Sequence, residues 1–139
     1  MFGSLDISTS GMTAQRARLT AISANIANRN SISPDGEPYR AREVYFAQGN
    51  PQATTREGRA AGVHVAAIKE DQSPFNLRWD PDSALAIKSG PQAGYVRESN
   101  VNIVIEQVNA MQAQRAYEAN AVAAEATKQM LQQALRLLA

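Results

Sequence analysis

The sequence predicts an α+β fold: long N- and C-terminal helices packing as an antiparallel-type coiled-coil pair, with a small central β-rich domain between them. Three observations predict it. All six prolines (34, 38, 51, 74, 81 and 91) fall between residues 34 and 91, and proline breaks a helix interior by removing a donor and clashing with the preceding turn. Six of the eight aromatic residues, Tyr39 to Tyr95, lie in the same stretch. Both flanks are proline-free, and the first repeats an apolar residue every seven positions. The division expected is 1–31, 32–97 and 98–139.

The first arm spans about Leu5 to Asn28. Leu5, Met12, Leu19 and Ile26 recur at seven-residue intervals, with Ile22 on the same side. One narrow apolar stripe is the seam of a coiled coil rather than the broad face of a buried helix. Ser8, Thr9 and Ser10 are good capping residues. Gly11 weakens a helix by about 0.5–1 kcal/mol relative to alanine, so the helix is expected to begin after it. Asn28 and the following Arg29-Asn30-Ser31, with Pro34 beyond, end it.

The centre, 35–97, reads as short strands and turns. Residues 39–46 (YRAREVYF) alternate in the manner of a strand, and 62–68 (GVHVAAI) and 75–79 (FNLRW) are further strand candidates. Pro34-Asp35-Gly36, Gly49-Asn50-Pro51, Asp80-Pro81-Asp82 and Ser89-Gly90-Pro91 are turn signals. Residues 47–61 read as a flexible loop.

The second arm spans about Asn102 to Leu138, with Asn100 or Asn102 as its cap. Val104, Val108, Met111, Val122, Ala126 and Met130 follow helical spacing, and alanines throughout favour the helix. At 1.5 Å per residue it is roughly 55 Å long, too long for a small centre to bury. Its opposing surface is therefore expected on other chains.

Composition narrows the function. The net charge is +1, from 14 basic and 13 acidic side chains, which gives no electrostatic reason to expect nucleic acid. No cysteine is present, which excludes disulfides and thiolate zinc sites. No stretch approaches the ~18 apolar residues of a membrane span, so no direct membrane insertion is expected. The opening residues lack the basic and apolar regions of a cleaved secretory signal. His64 is the only histidine and has no companion at a metal-ligand spacing, so it is read as a surface or half-buried strand residue. Asp80 and Asp82 resemble the start of a calcium loop, but Leu85 and Pro91 stand where that loop needs Gly and Glu. They are read as a turn. No catalytic residue, metal or cofactor is expected, and the chain is not expected to be an enzyme.

Polar residues on the arms suggest contacts instead. Asn25 and Asn120 sit beside apolar positions, where an amide fixes helix register, the competing reading being a solvated amide. Arg115, Tyr117 and Glu118 form the polar centre of the second arm and are read as an inter-subunit contact, with Tyr117 as anchor. Arg16 and Arg18 are read as a solvated face or an ion pair between subunits.

The two arms also resemble a known family. SGMTAQRARLTAISANIANRNS (10–31) resembles the N-terminal signature of the flagellar rod, hook and hook-associated axial proteins, with Ser10-Gly11, Gln15, Arg18-Leu19 and Asn25-Ile26-Ala27-Asn28 in order. Residues 101–137 resemble the C-terminal signature, with Arg-Ala-Tyr-Glu-Ala-Asn at 115–120 and Lys-Gln-Met-Leu at 128–131. The middle, with 34–46, 73–86 and 94–104, is similar to that of the proximal-rod members. Ser23-Ala24, Ser31 and a longer 86–91 segment depart from the usual pattern. The resemblance implies a structural subunit of the proximal rod, polymerising through its terminal helices for flagellum-dependent motility. It implies as partners other rod subunits, neighbouring basal-body proteins, copies of itself and the flagellar type III export apparatus. It also implies a place in the basal body, where the rod crosses the periplasm. Stripes and signatures together nominate an interface. From the first arm come Leu5, Met12, Gln15, Leu19, Ile22, Asn25, Ile26 and Asn28. From the second come Val104, Val108, Met111, Arg115, Tyr117, Glu118, Asn120, Val122, Met130 and Leu131. The alternatives are another small axial subunit of the same family, or a non-flagellar coiled-coil adaptor.

Overall fold

A computed structural model of the chain describes residues 2–138. The elements in order are α1 (Phe2–Asn28), β1 (Arg42–Gln48), α2 (Arg56–Ala61), β2 (Val63–Glu70), β3 (Asn76–Trp79), β4 (Tyr95–Glu98) and α3 (Ile103–Leu138). The α+β expectation holds: two long helices flank a small region of antiparallel strands.

α1 and α3 lie side by side and antiparallel. Gly11 abuts the Asn120 side chain, and Asn25 reaches Glu106, so each step forward on α1 is a step back on α3. Phe2 then falls near the level of Gln129, and about two turns of α3 continue past it. Along α3 the inward positions recur every seven residues: Glu106, Ala113, Asn120, Thr127 and Ala134 are all buried or half-buried. That is the period of a left-handed helix pair, built here on small and polar side chains. Ala113 has no exposed surface at all.

The helix does not wait for Gly11 to begin. α1 starts at Phe2 and runs through it. A Cβ at Gly11 would stand 2.9 Å from the Asn120 amide, so the glycine serves helix approach rather than helix breaking. The propensity it costs is offset by packing. The end of α1 and the start of α3 fall where the sequence puts them. Asn28 ends α1, its amide donating to Ala24 O at 2.9 Å. Asn102 caps α3, its Oδ1 accepting from the Val104 and Ile105 amides at 3.0 and 3.4 Å.

β1 and β2 form an antiparallel hairpin with a bulge between Tyr45 and Phe46. Residues 47–61 are not the loose loop expected. They hold α2, capped by Thr55, whose Oγ1 accepts from the Gly58 amide at 3.0 Å. Gly49 N donates to Gly62 O at 2.6 Å and Asn50 N to Arg59 O at 3.1 Å. The reason lies in the glycines. A Cβ at Gly58 would meet the Asp6 side chain at 2.6 Å, and one at Gly62 would press on Gly58 O and Ser10 Oγ. Bare backbone lets the segment close onto α1.

A second antiparallel pair, β3–β4, has the register Asn76↔Glu98 to Trp79↔Tyr95. β4 was not among the expected strands: four residues of mixed polarity carry too little alternation to stand out. Trp79 lies over Gly94, whose φ of 84° suits glycine and where a Cβ would come within 2.6 Å of the indole. Tyr95 meets the indole edge-on at 4.9 Å.

Candidate subunit interface

Three polar knots hold the helices to the centre, and they decide which surfaces remain for a partner. The first is Asn25, which is only 1% exposed. Its Oδ1 accepts from Arg42 N at 2.8 Å and from Tyr39 Oη at 3.1 Å. Its Nδ2 donates to Arg42 O at 3.0 Å and Glu106 Oε2 at 3.3 Å. Both donors and both acceptor sites of the amide are thus used, and one residue joins α1, the start of β1 and α3. Burial pushes the Glu106 carboxyl above its usual range, opposed by the Asn25 bond and Arg18. Burial likewise raises the Tyr39 phenol.

The second knot is Asp6. Its Oδ2 accepts from Thr55 Oγ1 at 2.6 Å, Thr55 N at 2.9 Å and Thr54 Oγ1 at 3.1 Å. These bonds, the Thr55 hydroxyl foremost, hold its carboxyl below the usual carboxylate range. Beside it Ser10 Oγ accepts from Val63 N at 3.0 Å and donates to Ile7 O at 2.7 Å. The third is Asn100, which is not the cap of α3. Its Oδ1 accepts from Ala41 N at 2.8 Å, and its Nδ2 donates to Asp71 O and Ser73 Oγ, both at 3.1 Å. Arg40 adds bonds to Asp71 O and Ser73 O and lies 4.0 Å over the Phe75 ring.

The nominated interface residues separate by helix. On α1, Ile22 and Asn25 are buried within the chain itself, and Leu5, Met12, Gln15, Leu19, Ile26 and Asn28 are half-buried. Within one chain the first arm's stripe is thus partly covered and partly open. α1 touches α3, α2, β1 and β2, and the small residues between its stripe positions allow that closeness. On α3 the outcome is the reverse. Val104 and Val122 are each 68% exposed, and Val108, Met111, Arg115, Tyr117, Glu118 and Met130 are also exposed. Only Asn120 and Leu131 of the α3 set are half-buried. Asn120 lies at the helix crossing against Gly11, with its amide donating to Ala116 O at 2.8 Å.

The knots themselves were largely outside the sequence reading. Asp6, Glu106, Arg42 and Tyr39 carry no local signal for their distant partners. Ala113 and Thr127 could have been found, since small or polar residues recur every seven positions there. Elsewhere on the surface the ion pairs are exposed, Arg78 with Asp80 and Glu98 being the tightest, and such pairs stabilise little. His64 spends Nδ1 on Gly49 O at 2.6 Å. Among the described residues no three His, Cys, Asp or Glu side chains cluster to hold a metal, and no helix is long and apolar enough to cross a membrane.

Comparison with known proteins points in one direction. The family described as flagella basal body rod protein matches residues 5–31, and the flagellar basal body rod FlgEFG protein C-terminal family matches residues 92–137. The flagellar basal-body rod protein FlgC of Borreliella burgdorferi is 41% identical, over 99% of this chain and 97% of the relative. That of Escherichia coli O6:H1 is 40% identical, over 95% and 93%. That of Bacillus subtilis is 36% identical, over 98% and 97%.

Proposed function

Because the chain belongs to the FlgC family of flagellar basal-body rod proteins, and so is a structural subunit of the bacterial flagellar rod, we propose that it builds the proximal part of that rod by polymerising through its terminal helices. The observation that carries the polymerisation reading is the outward face of α3, where Val104, Val122, Met111 and Met130 are all more than half exposed. An apolar row of that length costs free energy in water, roughly 25 cal/mol for each Å² left uncovered, and neighbouring subunits relieve it. α1 contributes differently in this reading: it fixes α3 through Asn25 and Gly11, so that the outward face is presented rigidly.

The partners we propose are other rod subunits, adjoining basal-body proteins and further copies of this chain. Export through the flagellar type III apparatus and a site spanning the periplasm belong to the same proposal. So does the division into two axial helices, 1–31 and 98–139, and a central outer part, 32–97. The relatives bear structural names, and we read this chain as a non-enzyme.

The test is complementation. In a motile bacterium lacking its own copy of this gene, the chain is expected to restore swimming and to be recovered in purified basal bodies. Recovery in the cytosol alone, with motility unrestored, would refute the reading. Rescue of the same strain by a sister rod gene would undo the assignment to this position.

A further inference from the structure

Two side-chain amides stand on the α3-facing side of α1, and the chain treats them differently. Asn25 has its whole bonding capacity filled. Gln15 makes no hydrogen bond among the described residues, although its Oε1 is sealed from water. Of the described side chains it holds the one buried nitrogen or oxygen without a partner. Its position explains why. Gln15 stands one turn beyond Gly11, where the glycine brings α3 against α1. Gly11 lies opposite Asn120 and Asn25 opposite Glu106, so each residue forward on α1 is one back on α3, and Gln15 falls level with Ala116. Ala113 and Ala116 end in methyl groups there, and the backbone N–H groups of both helices are spent on their own carbonyls. No donor is left for the Gln15 oxygen. An amide oxygen kept both from water and from a donor is a cost that native chains rarely carry. The amide has one way out. Met12 and Leu19, three residues before and four after on the same face, are only half-buried, as is Gln15 itself. The residue therefore sits at the margin of the seam, and rotation about its side-chain bonds carries the amide past them to the open side of α1.

We propose that Gln15 is a specificity-determining contact of assembly: its amide is held without partners in the free chain, and on docking it turns outward and hydrogen-bonds a polar side chain of a neighbouring rod subunit. The proposal rests on the rod-subunit reading and adds to it the residue and the chemistry of one contact. A primary amide both donates and accepts, so the group that fits it does the same, a side-chain amide or a hydroxyl. Relief of the orphaned oxygen belongs to the assembled state alone. The bond therefore favours a neighbour that offers such a group over one that buries the same area without it. One residue thus makes the free chain less stable and the assembly more stable, and that opposition of signs is its signature.

Gln15→Met tests it, because methionine matches glutamine in length and helix propensity and has no amide. In the purified chain the urea midpoint is expected to rise by roughly 0.5 M, the orphan being gone. In the complemented bacterium, incorporation of the same variant into basal bodies is expected to fall about fivefold or more. A residue that only supports the fold moves both readings down together. A midpoint that does not rise, as when the amide is satisfied inside the free chain, overturns the proposal, and so does normal incorporation. The partner is read separately, with a diazirine-bearing leucine analogue at position 15. Irradiated basal bodies are expected to yield an adduct to a second polypeptide, whose mass tells a copy of this chain from a different rod subunit. Adducts confined to α3 of the same chain overturn the proposal. Failure of the unaltered chain to enter basal bodies refutes the rod-subunit reading instead.

Discussion

α1 and α3 are both long, alanine-containing helices, yet their surroundings differ. Over its 27 residues α1 buries Gly3, Ser8, Ser10, Gly11, Ala14, Ala21, Ile22 and Asn25. Over its 36 residues α3 fully buries only Ala113 and Thr127 among the described side chains. The chain encloses one helix with its own hairpin and leaves the other open on its largest side chains. Helix propensity does not separate the two; the placement of small residues does. Where glycine, serine and alanine line a face, another element of the same chain settles there. Where valine and methionine line it, the face is left for something larger to cover.

The sharpest way to break this contrast is at Asn25. Asn25→Leu leaves the Arg42 N–H and C=O without partners inside the chain, each costing about 1–3 kcal/mol. Chemical denaturation of the purified chain is expected to show a loss of roughly 2–4 kcal/mol. A loss below 0.5 kcal/mol or so, the level of an ordinary surface change, would mean that the knot does not join the helices.

Gly62→Ala comes next. The added methyl presses on the Gly58 carbonyl and the Ser10 hydroxyl, and overpacking of this kind costs about 1–3 kcal/mol. Proteolysis within 47–61 is expected to speed up in parallel, because the segment loses its seat on α1. Unchanged cleavage would return that segment to the loose loop the sequence suggests.

A subtler effect is expected in acid. The Asp6 carboxyl has its folded pKa held below the ordinary 3.8 by the Thr55 and Thr54 bonds. Its stabilisation is therefore present above that value and lost as pH falls through the lower, folded one. Glu106 acts oppositely. Its folded pKa is raised above 4.5 by burial, so its penalty is fully felt above the raised value and is relieved as pH falls toward 4.5. Asp6→Asn is expected to flatten the fall in stability below pH 3.8, as followed by urea titrations at stepped pH. A slope identical to that of the unaltered chain would remove Asp6 from the account.

The smallest effect on the isolated chain is expected on the outward face. Met111→Ser is expected to change its stability by no more than about 0.5 kcal/mol, because the side chain is 53% exposed. The same change is expected to reduce recovery in basal bodies. A stability loss like that of Asn25→Leu would show that α3 buries this face within the chain.

The sequence made the broad division legible because proline and aromatic residues are segregated so completely. It made the ends of α1 and the start of α3 legible through Asn28 and Asn102, whose side chains act on nearby backbone. It misled at Gly11, because a glycine needed for close approach looks the same as one that breaks a helix. It misled again at 47–61, where the order comes from the bare backbone of Gly58 and Gly62 closing onto distant Asp6 and Ser10 of α1. The apolar residues nominated on α3 keep helical spacing along the sequence. Which side of α3 they occupy was not legible, since periodicity fixes a face without saying whether the chain itself covers it.

Trp79 gives the molecule a built-in optical reporter. It is the only tryptophan, it is 60% exposed, and its ring rests on Gly94 and Tyr95 of the β3–β4 ribbon. Its fluorescence therefore follows that ribbon, while far-ultraviolet ellipticity follows mainly the two long helices. Recording both signals in one melting experiment separates the loosening of the centre from the parting of the arms without attaching any dye.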